Sequence, residues 1–199
     1  MFISFEGTEG VGKTTLIRKV YEHLLAQGQQ VQLTREPGGT PMAEQIRGLL
    51  LAVNHEENMA DDTELLLMYA ARAQHLQQVI VPALAAGKTV LCDRFTDASF
   101  AYQCAGRGLS AEKLQLLNAN FVSHMPQITF WLDAPTELGM SRARERGALD
   151  RFEQEKAVFF EKVRAGYQTL WQQESARIKR LDARQSPDQV FEQALSYLK

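Results

Sequence analysis

The stretch GTEGVGKTT, residues 7–15, limits what this chain can fold into more than any other. Gly7, Gly12, Lys13 and Thr14 satisfy the spacing G-x-x-x-x-G-K-[ST], with the apolar run FISFE before it and an amphipathic segment after it. A strand, a glycine-rich turn and a helix start in that order make a phosphate loop, whose backbone N–H groups point at phosphate oxygens. Glycines let the main chain approach the anion, and the lysine offsets charge on the outer phosphates. Gly7, Thr8, Glu9, Gly10, Val11, Gly12, Lys13, Thr14 and Thr15 are therefore expected to hold the phosphates of a nucleotide, with the Thr14 hydroxyl helping to hold Mg2+. A carboxylate, Glu9, in the middle of such a cradle suggests that something besides the nucleotide is held there.

Short apolar runs recur along the rest of the chain. FISFE (2–6), VQLTR (31–35), TVLCD (89–93), ITFWLD (128–133) and RIKRLDA (177–183) read as strands. The middle three are apolar enough to be covered on both faces, and the charged alternation of the last fits an edge. Helices are predicted over 13–27, 40–51 (capped by Thr40 with Pro41 at its first position), 61–86, 110–122, 135–146, 154–173 and 187–198. Alternating strands and helices predict an α/β fold: a parallel sheet flanked by helices on both faces.

With 199 residues, 45% of them apolar, one domain spanning 1–199 is expected, with a mobile, charge-dense segment around 142–152. The formal net charge of −2 offers no polyanion-binding surface, so phosphate binding must be local and no nucleic-acid partner is expected. Two cysteines are too few for a disulfide framework, and Cys92 reads as a small core residue. No leader and no long apolar stretch is evident, which predicts a cytoplasmic protein without a membrane partner. His23, His55, His75 and His124 show no ligand spacing for a structural metal.

Phosphate loops do not specify a reaction. The guanine-reading Asn-Lys-x-Asp and the switch Asp-x-x-Gly of regulatory GTPases are both absent. A small phosphotransferase fits better, and it needs an acceptor face. TREPGG (34–39) and DRFTDASFAYQ (93–103) follow strands, where open α/β sheets place their ligands. Arg35, Arg47, Arg72 and Arg94 are candidates to converge on a second phosphate. Asp93 and Asp133 both end apolar strands and compete as the carboxylate that supports Mg2+; the neighbouring Arg94, Ser99, Tyr102 and Gln103 favour Asp93.

FEGTEGVGKTT, TREPGGT, the helix containing AAR, DRF with AYQ, and RARERGALDRFE resemble the bacterial thymidylate kinase family in order and spacing, over essentially the whole chain. The resemblance implies a five-stranded parallel sheet, a homodimer, and transfer of the γ-phosphoryl group of ATP to dTMP. It implies that Arg35, Arg72 and Arg94 engage the acceptor phosphate, with Pro37, Arg47 and Asp93 nearby. Arg72 would also lie against thymine, while Ser99, Tyr102 and Gln103 read or pack the base and Met68 and Tyr69 compete to stack on it. Phe95 stands where relatives often carry tyrosine or histidine. Glu9 would face the deoxyribose 3′-hydroxyl. With no arginine inside the loop, the resemblance draws catalytic charge from 142–151: Arg146 first, Arg151 as runner-up, Arg142 nearer the adenine, which Ala183 and Arg184 border. Another monophosphate or small-metabolite acceptor, or a regulatory nucleotide-binding protein, remain open alternatives at this point.

Overall fold

The computed structural model describes residues 1–53, 56–144 and 150–198. Five parallel strands, β1 (Phe2–Glu6), β2 (Val31–Arg35), β3 (Thr89–Asp93), β4 (Ile128–Asp133) and β5 (Ile178–Asp182), form one sheet in the order β2-β3-β1-β4-β5. The chain steps from β1 out to β2, returns to β3, and then crosses β1 to β4. That reversal opens a crevice at the carboxyl ends of the central strands.

One strand expectation is corrected. VQLTR was expected among the strands covered on both faces, yet β2 is an edge and its residues are half-buried or exposed. FISFE takes the central place, with all five residues buried. Gln32, Thr34 and Arg35 give β2 the polar alternation that an edge tolerates.

Alternation along β1 divides the core. Ile3 and Phe5 face α1 (Lys13–Ala26) and α9 (Pro187–Leu195), where Leu16, Val20, Val190 and Ala194 pack on them. Phe2 faces the opposite side, against Cys92 and Phe95. Ser4 on that side meets the Thr129 hydroxyl at 2.8 Å, inside a buried network with Asp97 and Arg177. Each buried phenylalanine contributes about 2–3 kcal/mol through water exclusion.

Capping residues fix several helix starts. Thr40 accepts from the Ala43 N–H ahead of α2 (Pro41–Leu51), Ser110 caps α6 (Ala111–Phe121), and Ser186 forms a capping box with Gln189 before α9. The predicted helix over 61–86 is divided: α3 (Asp61–His75) widens into a π-helical stretch (Leu76–Ile80) before α4 (Val81–Ala85). Pro82 has no N–H to give to the preceding turn, which loosens the helix there. The polar run after β3 is also helical, as α5 (Thr96–Ser99) and a second π stretch (Phe100–Gly106). α7 covers Thr136–Arg144, and the helix predicted from residue 154 starts later, as α8 (Ala157–Gln173). There Asp150 Oδ1 accepts from the Phe152 and Glu153 N–H groups and holds a tight turn instead.

Candidate active site

The strand-to-helix turn after β1 is built as a cradle. Gly7, Gly10 and Gly12 have φ of 138°, 70° and 97°. A Cβ on Gly7 would also sit 2.6 Å from the Leu132 carbonyl oxygen, so glycine is required there twice over. Lys13 is buried at the base and its Nζ donates to the Gly7 and Thr8 carbonyls at 3.1 and 2.8 Å. Burial, reinforced by the Arg94 guanidinium, pulls its ammonium down from 10.5 to about 8.

Above the cradle lies a cavity of about 650 Å3, lined by the loop residues Glu9 to Thr15, Arg35, Arg47, Asp93, Arg94, Arg142 and Ala183. A smaller cavity of about 90 Å3 adjoins it, lined by Pro37, Met68, Arg72, Ser99, Tyr102 and Gln103. Glu9, Glu36, Arg47, Arg94 and Asp150 belong to both walls. The two cavities therefore meet along a seam of carboxylates and guanidiniums.

That junction is tightly bonded. Arg94 Nη2 donates to Glu9 Oε1 at 2.7 Å and Nη1 donates to the Gly7 carbonyl at 2.9 Å. The Tyr102 hydroxyl donates to both Glu9 oxygens, at 2.8 and 2.9 Å, beneath the Arg94 guanidinium. Arg94 holds φ 69°, an uncommon conformation for a side chain this large, at the turn leaving β3.

The two rival aspartates differ in their partners. Asp133 is occupied by Arg164 at 2.7 Å and Arg180 at 2.6 Å, and does not line the large cavity. Asp93 lines it and keeps a buried Oδ1 without a hydrogen-bond partner among the described residues. Thr14 and Asp93 supply hard oxygen donors to one cavity. That chemistry fits a divalent ion carried mainly by phosphates and water.

Arg72 is buried in the second wall: its Nε donates to Glu36 Oε2 at 2.7 Å, and its Nη2 to the Phe95 carbonyl and the Ser99 hydroxyl. Met68 lines the small cavity, whereas Tyr69 is packed under Arg72 with its hydroxyl on Asn118. Arg35 bonds Glu44 and is half exposed; Arg47 donates to the Pro37 carbonyl. Phe95 is fully buried against the Phe2 ring, so that position serves the core. Arg151 donates to the Leu50 carbonyl and pairs with Glu64, away from the large cavity. Arg146 and His55 lie outside the described residues.

Two carboxylates went unread in the sequence. Glu6, at the end of β1, accepts from the Phe95 N–H and the Tyr167 hydroxyl. Burial, followed by the charge of Asp97, pushes it up to about 8. Glu36, inside TREPGG, joins Arg72 to the fully buried His75. The signal for Glu6 was available: an acid closing an apolar strand directly before a phosphate loop.

A doubly flanked parallel sheet, a phosphate cradle at its switch point and a second anion-ready cavity end to end with the first define a phosphate-loop kinase. Comparison with known proteins narrows this class. The family model described as thymidylate kinase matches residues 5–194. A thymidylate kinase of Acinetobacter baumannii (strain SDF) is 79% identical over 100% of both chains. That of Acinetobacter baylyi is 76% identical over 100% of this chain and 98% of its own, and that of Psychrobacter sp. (strain PRwf-1) is 53% identical over 95% and 92%. The crystal structure of thymidylate kinase from Ehrlichia chaffeensis superposes with a TM-score of 0.80 at 30% identity, covering 100% of this chain and 98% of that one. The chain belongs to the thymidylate kinase family, kinases that phosphorylate dTMP to dTDP with ATP.

Proposed function

We propose that this chain transfers the γ-phosphoryl group of ATP to dTMP with the nucleotides meeting end to end across Glu9 and Arg94. The observation that carries the reading is the shared wall: Glu9 and Arg94, bonded to each other, both border the phosphate-loop cavity and the small cavity. ATP occupies the larger space, its outer phosphates on the loop amides and Lys13, with Arg142 and Ala183 toward the adenosine end. dTMP occupies the smaller, its phosphate toward Arg94, Arg47 and Arg35 and its base among Arg72, Ser99 and Gln103, over Met68. Tyr102 acts through Glu9, which it holds in place, and Glu9 accepts from the 3′-hydroxyl. Tyr69 supports Arg72 from beneath.

Phosphoryl transfer of this kind asks for positioning and charge neutralisation more than for covalent chemistry. The acceptor oxygen is already anionic at neutral pH, so Asp93 need not remove a proton. We assign Thr14 and Asp93 to Mg2+, which when bound neutralises phosphate charge. Further cationic charge is assigned to 142–152, proposed as a lid on a single domain and lying in part outside the described residues, with Arg146 placed first and Arg151 second. An arginine of that kind is worth ~10³–10⁵ in rate. The enzyme is read as a cytoplasmic homodimer.

A coupled assay of ATP turnover with each nucleoside monophosphate in turn tests the assignment. Rapid turnover with dTMP and weak turnover with the others is expected, and Arg146→Ala should lower kcat far more than ATP affinity. ATP consumption that ignores the acceptor would overturn the reading.

A further inference from the structure

We infer that Glu64, which lines neither nucleotide cavity, fixes the direction of the Gln103 side-chain amide and so sets which pyrimidine the small cavity accepts. The inference rests on reading that cavity as the dTMP site. Glu64 sits in the first turn of α3, where an acid is ordinarily a solvated partner of the helix dipole. Asp61 and Asp62 fit that description, but Glu64 is only 1% exposed.

Its two oxygens collect an amide donor and two guanidinium cations. Gln103 Nε2 lies 2.8 Å from Oε1, while Arg107 Nη2 and Arg151 Nη2 lie 3.2 and 2.7 Å from Oε2. An ion-paired carboxylate only accepts, so the group that Gln103 turns toward it must be its NH2. With its NH2 turned to Glu64, Gln103 has its carbonyl oxygen as the acceptor it can offer the cavity it lines. Arg72, in the same wall, only donates, and its buried Nη1 has no hydrogen-bond partner among the described residues.

Arg72 and Gln103 thus present one donor and one acceptor with fixed polarity, beside the Ser99 hydroxyl. Thymine offers the complement, an O4 acceptor beside an N3–H donor; cytosine offers a 4-amino donor beside an N3 acceptor and reverses both. Arg72 cannot reverse its polarity. A free glutamine amide can, by rotating half a turn, and would then accommodate either edge. Glu64 removes that freedom. Specificity of this kind comes from leaving the wrong base with buried groups unpaired.

The test is Glu64→Gln, whose amide can donate to Gln103 and lets it turn over. kcat/KM is measured for dTMP and for 5-methyl-dCMP, which differs from dTMP only at the edge being read. The preference for dTMP should narrow about tenfold, the worth of one hydrogen bond of about 1.4 kcal/mol, with the change carried by KM. A merely structural Glu64 would lower both substrates by one factor, and an unchanged ratio overturns the inference.

Should the variant not fold, NMR of the unaltered enzyme decides, with the Gln103 side-chain amide assigned by its loss in Gln103→Leu. Its protons should exchange slowly and stay protected when dTMP binds; fast exchange, or protection lost on binding, overturns the inference. If the unaltered enzyme does not use dTMP, the reading of the cavity fails as well. If it does and the ratio holds, only the role of Glu64 fails.

Discussion

At Lys13, burial and function pull in opposite directions. Desolvation, with Arg94 second, lowers the ammonium to about 8, while phosphate binding needs it charged. The unfolded chain holds this proton up to its ordinary value near 10.5, so between about 8 and 10.5 it binds more protons than the folded one. Stability from this group therefore rises with pH across that window, as the cost of burying the charge is relieved. An ATP polyphosphate beside Nζ favours the charged form and should draw a proton back. Calorimetry in buffers of different ionisation enthalpy is expected to show proton uptake on ATP binding at pH 8.5. It should fade at pH 6.5, where Lys13 is already protonated. The uptake at pH 8.5 should also vanish in Lys13→Met; if it persists there, another group carries the proton. The same scale shows where the sequence stopped being informative. Asp93 and Asp133 both end apolar strands, and nothing local separates them. Arg164 and Arg180, on α8 and β5, occupy the second and leave the first. That Glu9 and Lys13 line one cavity was legible because both lie inside one short motif; the meeting of Glu36 and His75 was not, because it comes only through the fold.

Among the elements, the second π stretch brings Tyr102 and Gln103 to the acceptor wall, and α8 packs directly on it. Gly166 makes that contact possible: a Cβ there would lie 2.7 Å from Ala105 Cβ and 3.1 Å from Ala101 Cα. Gly166→Ala gains up to about 1 kcal/mol of helix propensity. It must also push α8 away from a packed surface, at about 1–3 kcal/mol. The net expectation is a Tm lower by about 2–6 °C. KM for dTMP should rise and KM for ATP should hold, because the displaced segment bears Tyr102 and Gln103 and not the phosphate loop. An equal change in both would mean that the contact stabilises without shaping the site. Hydrophobic runs located all five strands within a residue or two, since burial of short apolar segments is a local signal. Strand order was not legible in the same way. VQLTR and FISFE look alike in isolation, and their places depend on which crossovers the helices make. The helical run of α5 and the π stretch was hidden too, because Ser99, Tyr102 and Gln103 are polar at the cavity wall and mask the helical period.

Across the whole molecule, one helix serves two surfaces. α3 turns Glu64, Tyr69 and Arg72 inward, and leaves Leu66 59% exposed on its other side. The neighbouring α6 exposes Leu116 and Phe121, at 66% and 54%. The helices are tied together by Lys113 with Asp62 and by Tyr69 with Asn118. A homodimer that covers Leu66, Leu116 and Phe121 would remove this apolar surface from water and brace the helix that holds Arg72. Stable interfaces bury roughly 1,200–2,000 Å2 in total, and two adjacent helices from each protomer are enough for that. Sedimentation of the unaltered enzyme at micromolar concentration should give twice the chain mass. Leu66→Glu combined with Leu116→Glu should shift it to one chain with the far-UV spectrum unchanged, since both side chains point away from the core. If bracing matters, the separated chains will show a higher KM for dTMP and nearly the same KM for ATP, because α1, which carries Lys13 and Thr14, packs on the opposite face of the sheet. Monomers with unaltered KM for dTMP would uncouple assembly from the acceptor site, and a species that stays double in mass would put the interface elsewhere.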